Sequence, residues 1–148
     1  MKLLLTSGGV TNPTIHAALV DLLGKPVDEC HATYLCHWVR ESGLADLLPS
    51  LHDTVWVGVS AGSMVMTPRV GASFVEWAGA PDDRGLGVVD FSRFPHLDAF
   101  PENSREHAER WAADLGGASY AIDEQTAVVV VDGAVQVVSE GRWTHFDA

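Results

Sequence analysis

Cysteine is almost missing from this chain: Cys30 and Cys36 are the only two in 148 residues. Two thiols make no disulfide framework, and their spacing is not the short gap of a zinc knuckle. Cys30-His31 and Cys36-His37 could be written as four soft ligands. Cys36 and His37 fall on an expected helix, however, where neighbouring side chains point about 100° apart. Packed thiols and surface imidazoles are therefore expected, with no metal and no cofactor. Basic residues are also scarce, nine against 20 acidic ones, for a net charge of −11. That balance excludes a nucleic-acid or anionic-membrane surface, which needs clustered Lys and Arg. It also means that an anionic substrate is repelled at long range and needs a local cation to hold it. No uncharged run is apolar throughout over the length of a membrane span; the longest, Leu3 to Val20, is broken by Ser7-Gly8-Gly9 and Asn12-Pro13. The opening Lys2 to Gly9 has too short an apolar core for an export signal and reads as a first strand, so a cytoplasmic protein is expected.

What the chain does have is a succession of strand and helix signals over a length that fits one domain, residues 1–148. Strand character spans Lys2 to Thr6, and Asn12-Pro13 reads as an N-cap followed by proline at the first helical position. Ile15, Leu19, Leu22 and Leu23 share one face of that helix, and Gly24 offers its stop. Helices are expected over Thr33 to Glu41 and Leu44 to Leu48. Gly71 to Gly87 is rich in Gly, Ala, Pro and Asp and reads as an irregular excursion. Val88 to Phe94 is strand-like, and Ser104 caps a helix through Leu115. Tyr120 to Ile122, Thr126 to Val131, Ala134 to Val138 and Arg142 to Phe146 read as strands, with Asp132-Gly133 as a hairpin turn. Parallel βα units first and antiparallel hairpins last predict an α/β fold: a mixed, mainly parallel central sheet flanked by helices.

The most informative segment is Val55-Trp-Val-Gly-Val-Ser60-Ala-Gly-Ser-Met64, an apolar strand that breaks into Gly58-x-Ser60-x-Gly62 and continues as helix-compatible residues. Chance supplies roughly 0.09 matches to this five-residue pattern in a chain of this composition, before any structural context is required. A serine on a sharp strand-to-helix turn projects its hydroxyl from the sheet edge, and the following N–H, here that of Ala61, points to where an oxyanion would form. The bland alternative is a glycine-rich turn with a buried serine. Serine becomes nucleophilic only when a neutral imidazole accepts its proton. Of seven histidines, His96 alone stands at the exit of a strand, behind the rigid Pro95, on the sheet end where the elbow opens. Gly8 or Gly9, in the turn after the first strand, is the other glycine placed to lend an oxyanion N–H, and Gly9 is the one assigned. Asp90 and Asp98 are carboxylates near His96 in sequence.

Gly58-Val59-Ser60-Ala61-Gly62-Ser63, Phe94-Pro95-His96 and the opening Leu3-Leu4-Leu5-Thr6-Ser7-Gly8-Gly9 resemble the peptidase E (aspartyl dipeptidase) family of serine peptidases, whose relatives include the cyanophycinases. The resemblance implies a class I glutamine-amidotransferase-like fold and a serine-type dipeptidase acting through an acyl-enzyme on Ser60, with a short peptide as substrate. It places the orienting acid shortly after the elbow, at Glu76, giving the order Ser60, Glu76, His96. It also places at Arg105 the arginine that grips an N-terminal aspartate carboxylate. An exposed helix arginine paired with Glu109 is the alternative for Arg105. The chain departs from the family between Lys25 and Thr33, where about 30 residues or more of strand and helix are missing, a βαβ unit with its glycine-rich turn. That turn would supply the second oxyanion donor. A second reading follows: a shortened member that keeps the fold and serves as a binding or assembly module. Lost strands also leave an apolar edge, so a homo-oligomer is expected.

Overall fold

Leu3, Leu4 and Leu5 are all buried in strand β1 (Lys2–Thr6), which requires covers on both faces of the sheet they belong to. The computed structural model supplies them; it describes residues 1–32, 50, 53–75 and 79–147. Leu3 and Leu5 point into a cluster with Met66, Phe91, Ile122, Val128 and Val130. Leu4 points the other way, onto Ile15 and Leu22 of helix α1 (Pro13–Leu23) and onto Ala127 and Val129. Each fully buried leucine contributes about 1.5–3 kcal/mol relative to an exposed one.

Helix α1 forms as its sequence predicts. The Asn12 side chain accepts the Ile15 N–H at 2.8 Å, Pro13 takes the first position, and Gly24 closes the helix in the left-handed region with φ 68°. β1 pairs in parallel with β2 (Val55–Val59) and antiparallel with β5 (Thr126–Val131), which turns through Asp132-Gly133 into β6 (Ala134–Ser139). The φ values of 50° and 87° at those two turn residues explain the Asp-Gly choice.

Among the described residues the strands form two mixed sheets where one central sheet is expected. The second sheet holds β3 (Ser92–Phe94), β4 (Ser119–Ile122) and β7 (Trp143–Phe146), with β3 and β4 parallel and β7 antiparallel. The α/β class and the mixed pairing stand, but the predicted strand Val88 to Phe94 shrinks to its last three residues. The reason is competition for hydrogen bonds: the N–H groups of Val88 and Val89 both donate to the Met66 carbonyl, so this stretch bends around the elbow segment and joins no ladder. Helix α3 (Arg105–Leu115), capped by Ser104, packs Ala108, Trp111 and Ala112 against Phe94 and Ala121 of the second sheet. The described residues of the excursion from Gly71 to Gly87 are irregular as expected, with a short 3-10 turn at Ala72–Phe74 and an isolated bridge between Arg69 and Arg84. The helices expected over Thr33 to Glu41 and Leu44 to Leu48, together with Cys36 and His37, lie outside the described residues. Among the described residues no helix is long and apolar enough to cross a membrane.

Candidate active site

Four chain segments leave their strands at the same end: β1 at Thr6, β2 at Val59, β3 at Phe94 and β4 at Ile122. β1 and β2 run in parallel, as do β3 and β4, so within each pair the residues just past the carboxyl ends are neighbours. Such ends are where α/β sheets gather reacting groups.

Ser60 follows β2 directly and begins helix α2 (Ala61–Met64) with φ 49° and ψ −118°, a conformation that L residues rarely adopt. The turn is held from both sides. The Ser60 N–H donates to the Thr6 carbonyl at 2.9 Å, and the N–H groups of Ser63 and Met64 both reach back to the Ser60 carbonyl. Gly58 is required by contact, since a Cβ there would lie 2.7 Å from both the Gly62 carbonyl oxygen and the Ser63 Cα. A Cβ at residue 62 would meet nothing within 4 Å beyond its chain neighbours and its own helix backbone, so among the described residues only the first glycine of the motif is demanded by packing.

The Ser60 hydroxyl lies 2.8 Å from His96 Nε2. His96 Nδ1 in turn lies 2.5 Å from Glu124 Oε1. A carboxylate only accepts, so Nδ1 carries the proton and Nε2 is left free to accept from serine. Both side chains stay within reach of solvent, at 24% and 38% exposure for His96 and Glu124. His96 also sits at positive φ, 55°. Its loop is fixed by the Leu97 N–H on the Ile122 carbonyl and by the Asn103 amide on the Pro95 carbonyl. The ring of Phe100, more than half exposed, meets the imidazole edge-on at 5.9 Å. Glu124 tops a turn whose shape is set by Asp123, which accepts from the N–H of Gln125, the hydroxyl of Thr126 and the N–H of Arg142.

The carboxylate on the imidazole is therefore Glu124, two residues past β4 just as His96 is two residues past β3. Among the described residues the order along the chain is Ser60, His96, Glu124, where the resemblance implied Ser60, Glu76, His96. Glu76 lies outside the described residues, and the Nδ1 position it was expected to occupy is already filled. Asp98 is engaged elsewhere, with Arg142 at 3.2 Å and the Arg105 N–H at 3.2 Å. Asp90 lines an apolar groove with Val88, Phe91 and Val135. The parallel neighbouring strand was the signal that could have found Glu124, once β3 and β4 were known to pair.

The oxyanion expectation divides. Ala61 is the first residue of helix α2, whose N–H has no acceptor within its own helix. The Gly9 N–H, in contrast, is committed to Thr6 Oγ1 at 3.0 Å. The threonine at the end of β1 takes the donor that the turn was expected to offer. Gly8 has another role: a Cβ there would collide with Glu124 Oε2. Its φ is ordinary, so Gly8→Ala should fold with stability within about 1 kcal/mol of the parent. It should slow any reaction of Ser60 by about 100-fold, because the displaced carboxylate releases the imidazole. Thermal melts beside Ser60 labelling rates check this.

Arg105 places its guanidinium on Glu109, Nε to Oε1 at 3.0 Å, with both side chains more than half exposed. Cys30 donates its thiol to the Pro26 carbonyl at 3.4 Å. Among the described residues no group of three or more His, Cys, Asp or Glu could hold a metal ion.

Comparison with known proteins gives one family and a shared fold. The model of peptidase family S51 matches residues 31–138, which include all three of Ser60, His96 and Glu124. The structure superposes on that of a candidate peptidase E from Listeria monocytogenes EGD-e with a TM-score of 0.56 and 18% identity, covering 70% of this chain and 52% of that one. A peptidase from an acI-B1 Actinobacterium aligns at a TM-score of 0.45 and 23% identity over 64% of this chain and 43% of that one. The chain thus spans about half the length of the Listeria protein. No curated protein matches it.

Proposed function

From a chain that belongs to peptidase family S51, we propose a serine-type peptidase acting on short peptides. Ser60 attacks the scissile carbonyl while His96 Nε2 takes its proton; the imidazolium then returns that proton to the leaving amine. Glu124 keeps the proton of the neutral imidazole on Nδ1 and stabilises the cation that forms. The Ala61 N–H faces the developing oxyanion, and water releases the acyl-enzyme. The single observation behind this reading is the continuous contact from Ser60 Oγ through His96 to Glu124, 2.8 Å and 2.5 Å.

The finer reading is a dipeptidase that prefers an N-terminal aspartate, whose carboxylate Arg105 would carry. Two features support it. A net charge of −11 leaves an anionic substrate dependent on a local cation. Arg105 opens the helix that follows the His96 loop, and its pair with Glu109 is exposed enough to exchange for about 1 kcal/mol or less. A panel of Asp-X, Ala-X and Leu-X dipeptides, with Ser60→Ala as the control, tests both levels. The expected result is hydrolysis that Ser60→Ala abolishes, with Asp-X favoured and Arg105→Leu lowering Asp-X turnover by about tenfold through KM. Equal turnover by Ser60→Ala would reject the peptidase, and Asp-X preference that survives Arg105→Leu would reject the role of Arg105.

One observation favours a second reading. With the Gly9 N–H bonded to Thr6, one backbone donor remains assigned to the oxyanion. Losing a single donor costs about 100- to 1,000-fold in rate, and a member so weakened would serve as a binding or assembly module. A folded sample that hydrolyses no dipeptide and accepts no covalent label would support that module.

A further inference from the structure

Two non-glycine residues at positive φ flank the proposed proton transfer, Ser60 and His96. Strained backbone of this kind persists only where surrounding contacts over-determine it. Both constraints lead to one buried side chain, Arg93 of β3, which is fully buried beneath the elbow.

Its Nη1 donates to the Ser60 carbonyl at 3.3 Å and also to Ser63 Oγ. Its Nη2 donates to Ser7 Oγ at 2.5 Å. Ser7 Oγ accepts a second bond, from the His96 N–H at 3.0 Å, and donates its own proton to the Ile122 carbonyl at 3.0 Å. A hydroxyl has one donor and two acceptor sites, and all three are used. Ser63 Oγ similarly donates onward to the Ser60 carbonyl at 2.5 Å. One guanidinium thus fixes the carbonyl of the serine directly and the backbone of the histidine through one intervening hydroxyl.

Fold stability does not account for this arrangement. Burial pushes the Arg93 guanidinium down to about 9, with the charge of Glu124 acting the other way, so it is still a cation at neutral pH. Because the folded value lies below that of the unfolded chain, the charge opposes folding at neutral pH, and the penalty is relieved only as pH rises through about 9. Among the described residues no carboxylate lies within ion-pair distance of Arg93, and its Nε is buried without a partner. A cation kept in such a place at a cost to stability marks a site with another requirement.

We propose that Arg93 is a positioning residue that sets the alignment of the Ser60 hydroxyl with His96 Nε2 by holding the Ser60 carbonyl and, through Ser7, the His96 backbone N–H. The proposal rests on the reading of Ser60 and His96 as nucleophile and base. Its test uses Arg93→Met, Arg93→Lys, Ser7→Ala and the Arg93→Met/Ser7→Ala double variant, each checked for a cooperative thermal transition. The readouts are the rate of fluorophosphonate attachment to Ser60 and the backbone N–H and Nδ1–H resonances of His96 in protein labelled with 15N-histidine. Arg93→Met and Ser7→Ala should each label about 100-fold more slowly, with both His96 resonances moved. The double variant should lose no more than the worse single one, since both act along one path. Arg93→Lys keeps the charge but lacks the fork that reaches several acceptors, so it should recover only part of the rate. Unchanged labelling and unchanged His96 resonances in folded Arg93→Met, or losses that multiply in the double variant, would overturn the proposal. If Arg93→Met does not fold, the same outcomes read on Ser7→Ala and Arg93→Lys decide. A parent protein that takes no label at Ser60 would mean that the peptidase reading has failed; the positioning role then stands or falls on whether the His96 resonances move.

Discussion

Glu124→Gln lowers the rate of acylation at Ser60 by about 10,000-fold, while the protein melts within a few degrees of the parent. The size of the effect comes from the tautomer and not from lost packing. Glutamine has nearly the shape of glutamate, but its amide offers a donor as well as an acceptor. Turned with its NH2 toward Nδ1, it moves the imidazole proton to Nε2, and the nitrogen 2.8 Å from the Ser60 hydroxyl can no longer accept. It also removes the negative charge that stabilises the imidazolium. The side chain is 38% exposed and anchors no core, so the fold has little to lose. Glu76→Gln, in the same assay, leaves the rate within severalfold of the parent, because Nδ1 has one proton and Glu124 already accepts it. Second-order labelling rates for the two variants, measured side by side, separate the two acids.

Gly58→Ala collapses the elbow. A Cβ at residue 58 would stand 2.7 Å from the Gly62 carbonyl oxygen, 2.7 Å from the Ser63 Cα and 2.9 Å from the Ser63 nitrogen. All three are backbone atoms of the turn and of helix α2, so no flexible side-chain end can swing aside. The helix must move away from β2, and with it go the Ser60 N–H bond to Thr6 and the Ser63 hydroxyl that Arg93 grips. Overpacking of this kind costs about 1–3 kcal/mol where neighbours relax, and backbone neighbours relax least, so a loss of about 3 kcal/mol or more is expected, together with loss of Ser60 reactivity. Chemical denaturation of Gly58→Ala and Gly62→Ala provides the check. The second variant adds its methyl where no described atom beyond its chain neighbours and its own helix backbone lies within 4 Å, and should differ from the parent by less than about 1 kcal/mol.

Much of this arrangement is local, and what is local was legible. The run from Val55 to Val59 ending at Gly58-x-Ser60 gives both the strand and its abrupt turn. Asn12, Pro13 and Gly24 bound helix α1, and Asp132-Gly133 places the hairpin. His96 stood out because Pro95 precedes it at a strand exit. Glu124 was missed because its role is created by the parallel pairing of β3 with β4, two strands separated by the whole of helix α3. No short-range pattern encodes that pairing, and the resemblance directed attention to residues just after the elbow. Arg93 was missed for a related reason. In sequence it is a charged residue next to Ser92 in a strand-like run, a residue type that ordinarily faces solvent, and only the closing of the elbow over β3 buries it. The Gly9 N–H is bonded to Thr6 three residues away, a side-chain preference that turn composition does not reveal.

The central claim is that His96, held by Glu124, activates Ser60. Peptide mapping of the intact protein after treatment with a fluorophosphonate probe measures it directly. The account predicts one adduct, on Ser60, formed readily by the parent and lost in His96→Ala. A folded parent that forms no adduct there, or an adduct that forms equally fast in His96→Ala, would contradict it.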